Sequence, residues 1–187
     1  MNLILKNIPG ANKVIVFDHN IRRQDLDAYR RPLYRAHVDQ SAKAAAECVL
    51  LHVSDEEQDK SIIDGGHRYR IINVWRPING TVDSNPLALV DVSIGYENDF
   101  VSVEFRSPDR TGDIMLIQPN QKQKWMYFSV VQEFERPFPQ CFGSKSQEKD
   151  NRAEVATRLP HTAFWDPRTL KGAKKRESIE VRALVFR

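Results

Sequence analysis

The chain is divided into short, strand-length runs, and that division restricts it to a narrow set of folds. The strongest run is Tyr69 to Arg76, Tyr-Arg-Ile-Ile-Asn-Val-Trp-Arg, rich in β-branched and aromatic residues and stopped by Pro77. Lys13 to Asp18 reads the same way after a Gly10-Ala11-Asn12 turn, as do Pro86 to Val92, Val101 to Phe105 and Met115 to Gln118. Trp125 to Val131 follows a polar turn at Asn120 to Lys124, and Ile179 to Phe186 closes the chain. Short strands separated by turn signals predict a mainly β protein, an antiparallel sandwich or jelly roll with a few helices outside. One helix is expected over Ser41 to Leu51, where alanines and a Lys43/Glu47 pair at i, i+4 favour it. Ser54 to Asp59 is expected to form a further helical turn ended by Gly65-Gly66, and Asn20 to Arg31 a polar loop stopped by Pro32.

A chain of 187 residues suits one domain, taken here as 1–187. The net charge is +3, with Lys and Arg interleaved among acids, so no nucleic-acid footprint is expected. The one basic cluster, Lys171 to Arg176, reads as a solvated loop. Two cysteines, Cys48 and Cys141, are too few for a disulfide framework and point to a reducing compartment. With no signal peptide or membrane-spanning run expected, the predicted location is cytoplasmic.

The chemistry is concentrated in Arg35-Ala36-His37-Val38-Asp39-Gln40. On an extended backbone residues i and i+2 share a face, so His37 and Asp39 converge. Together they are two thirds of a facial triad for non-haem Fe(II), a ligand set that leaves coordination positions open. The third ligand must come from a distant histidine, and His161 in Leu159-Pro160-His161-Thr162-Ala163-Phe164 is the candidate. The alternative is a surface strand end in which Asp39 or Ser41 caps the following helix. Beyond His161, Arg176, Ser178, Glu180 and Arg182 share one face of a strand-like run, an arrangement suited to a dicarboxylic co-substrate. Asn73, flanked by Ile71 and Trp75, is odd for a structural face; it either donates to a bound carboxylate or satisfies a neighbouring backbone group. His19 reads as structural, His52 and His67 as solvent-exposed, and Trp75, Trp125 and Trp165 as core or pocket wall.

Taken in order, several stretches resemble a known family. They are Gly10-Ala11 through Val16-Phe17-Asp18-His19 with Ile21-Arg22-Arg23, then His37-Val38-Asp39-Gln40, and Ile72-Asn73-Val74-Trp75-Arg76-Pro77-Ile78. Next come Pro86-Leu87-Ala88, Pro108-Asp109-Arg110-Thr111-Gly112, Lys124-Trp125-Met126-Tyr127, Pro160-His161-Thr162-Ala163-Phe164 and Arg176 to Arg182. The chain resembles the fungal hydroxylase/desaturase family of secondary metabolism, relatives of the cephem methoxylase proteins within the Fe(II)/2-oxoglutarate-dependent oxygenases.

The resemblance implies a double-stranded β-helix with Fe(II) held by His37, Asp39 and His161. It implies 2-oxoglutarate as co-substrate, anchored by Arg176 with Ser178 and Arg182, and with Asn73 as a further cofactor contact. Molecular oxygen and a small-molecule substrate complete the expected reaction, a hydroxylation or desaturation. Relatives carry a substantial region before the Gly10-Ala11 motif, so the β-helix is expected to be incomplete and a protein partner to cover the gap. Two alternatives follow from that: a non-catalytic homologue or partner subunit of a full-length oxygenase, and an iron oxidase that does not use 2-oxoglutarate. The prolines of Phe134-Glu135-Arg136-Pro137-Phe138-Pro139 argue against a central strand before Cys141-Phe142, and Gly143 to Arg158 is expected to be a long loop.

Overall fold

The structure is a computed structural model and describes residues 5, 7–8, 10–58, 68–92, 97–106, 111–144 and 158–187. Its strands form two antiparallel sheets. The first has four strands, in the order β1 (Lys13–Arg23), β10 (Glu177–Phe186), β3 (Tyr69–Pro77) and β8 (Gln140–Gly143). The second has six, in the order β5 (Phe100–Arg106), β6 (Thr111–Ile117), β2 (His37–Val38), β9 (His161–Ala163), β4 (Leu87–Val90) and β7 (Trp125–Tyr127). Neighbours are mostly distant in sequence: β1 pairs with β10, and β2 lies between β6 and β9. This is the winding of a jelly roll, as the strand-length runs predict.

Side-chain alternation divides the space between the sheets into layers. On the inner face of β3 stand Ile71, Asn73 and Trp75, opposite Leu184, Arg182 and Glu180 of β10. Ile71 and Leu184 join Val38, Val49, Cys141 and Phe142 in an apolar cluster at one end. Trp75 packs with Val82, Leu87 and Val131 at the other. Asn73, Arg182 and Glu180 are left as a polar layer between two dry ones. The outer face of β3 and β10 is also covered, with Ile72, Val74, Val181, Ala183 and Val185 buried beside Leu5, Ile8 and Val14. Burial on both faces explains why Tyr69 to Arg76 reads as a near-continuous apolar run.

Helix α1 (Ala42–His52) closes the first apolar end. Ser41 caps it, its hydroxyl accepting the Ala44 N–H at 3.1 Å, and Ala45, Cys48 and Val49 face inward. A single turn, α2 (Asp55–Gln58), follows. Gly65-Gly66, His67, residues 107–110 and residues 145–157 of the expected loop lie outside the described residues.

Three expectations need correction. Asn20 to Arg23 is strand rather than loop, because β10 continues opposite it: Asn20 faces Glu180 and Arg22 faces Ser178, beyond a bulge between Val16 and Asp18. Trp125 to Val131 is strand only through Tyr127, where pairing with β4 stops. Trp165, expected to be core or pocket wall, is 70% exposed, whereas Trp75 is core and Trp125 lines a cavity with Ala36 and Ile117. The Pro137-Phe138-Pro139 segment runs along the sheet edge. Pro137 and Pro139 accept the N–H groups of Trp75 and Asn73 through their carbonyls at 3.1 and 3.0 Å. Proline lacks only the donor, and an edge position does not need it.

Candidate metal centre

His37 and His161 meet because of strand register. They are direct partners across β2 and β9, so both side chains leave the sheet on the same face, with ring centroids 4.6 Å apart. Asp39, two residues beyond His37, projects into the same space. One ligand atom from each of the three lies within 4.8 Å of the others. His37 Nε2 stands 3.7 Å from one oxygen of Asp39, and His161 Nε2 4.0 Å from the other. These separations are too long for hydrogen bonds and leave a gap among three donors.

Both rings are held with Nε2 inward. His37 Nδ1 lies 2.8 Å from the carbonyl of Arg35, and His161 Nδ1 3.2 Å from the carbonyl of Leu159. A carbonyl only accepts, so each Nδ1 carries the hydrogen and each Nε2 presents a lone pair. Burial, reinforced by the neighbouring His161, pushes His37 down to about 4, and burial lowers His161 as well. Two neutral imidazoles beside an ionised carboxylate are the protonation states that metal ligation requires. This donor set fits a non-haem iron of the two-histidine, one-carboxylate kind.

Asp39 is fixed on both sides. Arg182 Nη2 donates to Oδ1 at 2.9 Å and Asn73 Nδ2 to Oδ2 at 2.5 Å, while the Cys141 thiol is 3.5 Å from Oδ2. Burial alone would raise the carboxyl, but Arg182, the two histidines and Asn73 together hold it well below the ordinary carboxylate range. Arg182 also reaches Asp18 at 3.1 Å and Glu180 at 3.2 Å. Burial, then the charge of Asp39, raises Glu180 despite that contact. Asn73 and Arg182 thus both donate to the carboxylate of the triad, and Arg182 donates to Asp18 and Glu180 as well.

Arg176 stands apart from this cluster. It is 3% exposed, lies over the Trp75 ring at 5.5 Å and donates from Nη1 to the Asn85 carbonyl at 2.5 Å. Asn85 presents that carbonyl from a left-handed backbone, with φ 48°. The Arg176 Nε is buried without a partner, and burial lowers the guanidinium to about 10, leaving it charged at neutral pH. A buried cation with an orphaned donor fits the far carboxylate of a dicarboxylic acid. Ser178, 1% exposed, follows on the same face of β10.

Glu180 and Asp18 complete the polar layer; sequence reasoning set Glu180 on the same face as Arg182 without giving it a role, and gave Asp18 none. The signal for Glu180 was its alternation with Arg182, and for Asp18 the register that sets it opposite Arg182. His52 is exposed, as expected, and stacks on Phe17; His19, expected to be structural, is exposed too.

Comparison with known proteins agrees with this geometry. The hydroxylase/desaturase PoxK of Penicillium oxalicum is 34% identical over 201 residues, covering 96% of this chain and 61% of the relative. The alpha-ketoglutarate-dependent dioxygenase TstK of Talaromyces stipitatus is 31% identical over 97% of this chain and 66% of its own length. Among solved structures, the iron and alpha-ketoglutarate-dependent endoperoxidase NvfI superposes with a TM-score of 0.83 at 26% identity, over 99% of this chain and 66% of that one. The chain therefore spans less than two thirds of these relatives. Among the described residues, no helix is long and apolar enough to cross a membrane. Residues 1–186 match the profile of the family described as the oxidoreductase/YMDC permease-like domain, and the chain belongs to that family, alongside the fungal hydroxylase/desaturases and Fe(II)/2-oxoglutarate-dependent dioxygenases.

Proposed function

We propose that this chain is the β-helix of a non-haem Fe(II)/2-oxoglutarate-dependent oxidoreductase, a hydroxylase or desaturase acting on a small molecule of fungal secondary metabolism. The carrying observation is the convergence of His37, Asp39 and His161 within 4.8 Å, with both Nδ1 atoms engaged by backbone carbonyls. Iron and 2-oxoglutarate, when bound, supply the oxidising power by coupling the use of molecular oxygen to decarboxylation of the co-substrate.

The protein's part is placement. His37 and His161 offer Nε2, and Asp39 offers a carboxylate whose orientation Arg182 and Asn73 fix from outside. Arg176 and Ser178 take the far carboxylate of the co-substrate, with the Arg176 Nε as the waiting donor. The apolar clusters above and below the polar layer limit the water that reaches it.

Anaerobic titration with Fe(II) and 2-oxoglutarate tests the proposal. A metal-to-ligand charge-transfer band should appear in the visible, and His37→Ala should abolish it. Arg176→Gln should weaken 2-oxoglutarate by about tenfold or more while leaving Fe(II) binding in place. An unchanged band in His37→Ala would remove His37 from the ligand set. Iron binding with no band would leave an oxidase that does not use 2-oxoglutarate.

A further inference from the structure

A cavity of about 460 Å³ opens beside His37 and Asp39 and extends along β1. Its walls combine three guanidinium groups, Arg22, Arg30 and Arg182, with the apolar side chains of Phe17, Leu33 and Ile114. Arg182 is saturated by Asp39, Asp18 and Glu180. Arg22 and Arg30 are not. Among the described residues, neither has a carboxylate within ion-pair distance: Arg22 donates to the Arg31 carbonyl at 3.0 Å, and Arg30 donates to the side-chain oxygen of Asn20.

The fold brings these two cations together against their mutual repulsion. Arg22 lies on the inner face of β1 opposite Ser178, and the chain turns back so that the Arg23 N–H donates to the Arg30 carbonyl at 3.0 Å. Burial lowers Arg22 below the ordinary value; the nearby charges of Glu180 and Asp39 work against that shift, and those of Arg182 and Arg30 add to it. Gln40 adds an unmet acceptor, which a donor elsewhere on the ligand, rather than its acidic group, would satisfy. It is 8% exposed, lines the same cavity, and its side-chain oxygen has no partner. Asp18, Asp39 and Asp113 also line the cavity, but none is within ion-pair distance of Arg22 or Arg30, whose direct hydrogen bonds go to neutral oxygens; such guanidinium groups suit an incoming carboxylate, to which arginine donates in a bidentate fork. The apolar walls suit the rest of such a molecule. Arg176, the candidate co-substrate anchor, does not line this cavity.

We propose that Arg22 and Arg30 anchor an acidic group, a carboxylate or its equivalent, on the apolar small molecule that is oxidised here. The substrate class is therefore an amphiphilic monoanion, bound in addition to 2-oxoglutarate; this inference rests on the metal-centre reading for what happens to that molecule, but not for its binding.

Calorimetric titration of the metal-free protein with phenylacetate, and with phenethyl alcohol as the uncharged counterpart, tests the anchor directly. Phenylacetate should bind at least about tenfold more tightly than the alcohol. Arg22→Gln and Arg30→Gln should each remove about tenfold of that preference and leave the alcohol unchanged, and Arg22→Lys should keep part of it. Arg30 is exposed, so its substitution keeps the test valid if Arg22→Gln does not fold. Phenylacetate should bind equally when Fe(II) and 2-oxoglutarate are saturating. The proposal is overturned by no binding of phenylacetate, by equal affinity for acid and alcohol, or by displacement of phenylacetate by 2-oxoglutarate, which would make Arg22 part of the co-substrate site. If phenylacetate binds as stated but no charge-transfer band forms, the anchor stands and the iron and 2-oxoglutarate reading falls.

Discussion

Asp39 shows how a short motif acquires meaning from its surroundings. His-x-Asp is a weak signal alone; here one carboxylate oxygen receives a guanidinium and the other an amide, both from the facing sheet. His37 pays for its burial by staying neutral, and this gives the metal-free protein a defined response to acid. Its folded value of about 4 lies below the ordinary 6.5. The unfolded chain therefore takes up a proton, as pH falls through that interval, that the folded chain refuses, and stability falls with it. The full shift corresponds to a loss on the order of 3 kcal/mol by the bottom of the window. Asp39, held low, acts in the same direction once the pH falls below its unfolded value of about 4. Glu180, held high, acts in the opposite direction, adding stability as it becomes protonated. Glu180→Gln removes that offset, so as the pH falls toward the ordinary carboxylate value of about 4.5 the variant should lose more stability to acid than the wild type, measured by urea unfolding. Parallel pH curves for the two proteins would show that Glu180 is not raised in the folded state.

Helix α1 sits directly after the His37-Val38-Asp39 stretch, so its start fixes where Asp39 can stand. Ser41 is the N-cap, and Ser41→Ala should cost about 1 kcal/mol in urea unfolding with little change in the denaturant slope. A loss within a few tenths of a kcal/mol would mean that water replaces the cap. This element was legible in the sequence, since alanines, a capping serine and an i, i+4 pair all agree over one stretch. Tyr69 to Arg76 was legible for a different reason, being stiff, β-branched and stopped by proline. The second half of β1 was not, because Asn20, Arg22 and Arg23 are strand only by virtue of the β10 residues paired with them. The edge beside Pro137 and Pro139 was half legible: their missing donors exclude a central position, but only the pairing shows their carbonyls serving β3. The triad could be named from its residue types, whereas the partners of Asp39 depended on which strands face one another.

Across the whole molecule, Arg182 ties the two sheets together. Arg182 on β10 reaches Asp18 on β1, Glu180 on its own strand and Asp39 beyond β2. Three buried or half-buried carboxylates thus depend on one cation, and they sit between two apolar clusters that cannot solvate them. Arg182→Leu would leave those charges uncompensated, at a cost of about 3–5 kcal/mol for a broken buried pair. A divalent ion at His37, Asp39 and His161 would then replace the positive charge that Arg182 had placed on Asp39. Metal binding should therefore stabilise Arg182→Leu more than the wild type, because the wild type already has a countercharge there and the variant does not. Thermal unfolding with and without saturating Ni(II), an ion that does not turn over, reads this as a larger gain in Tm for the variant. Equal gains would mean that Arg182 and the metal do not share Asp39, and the polar layer would then be two independent sites rather than one.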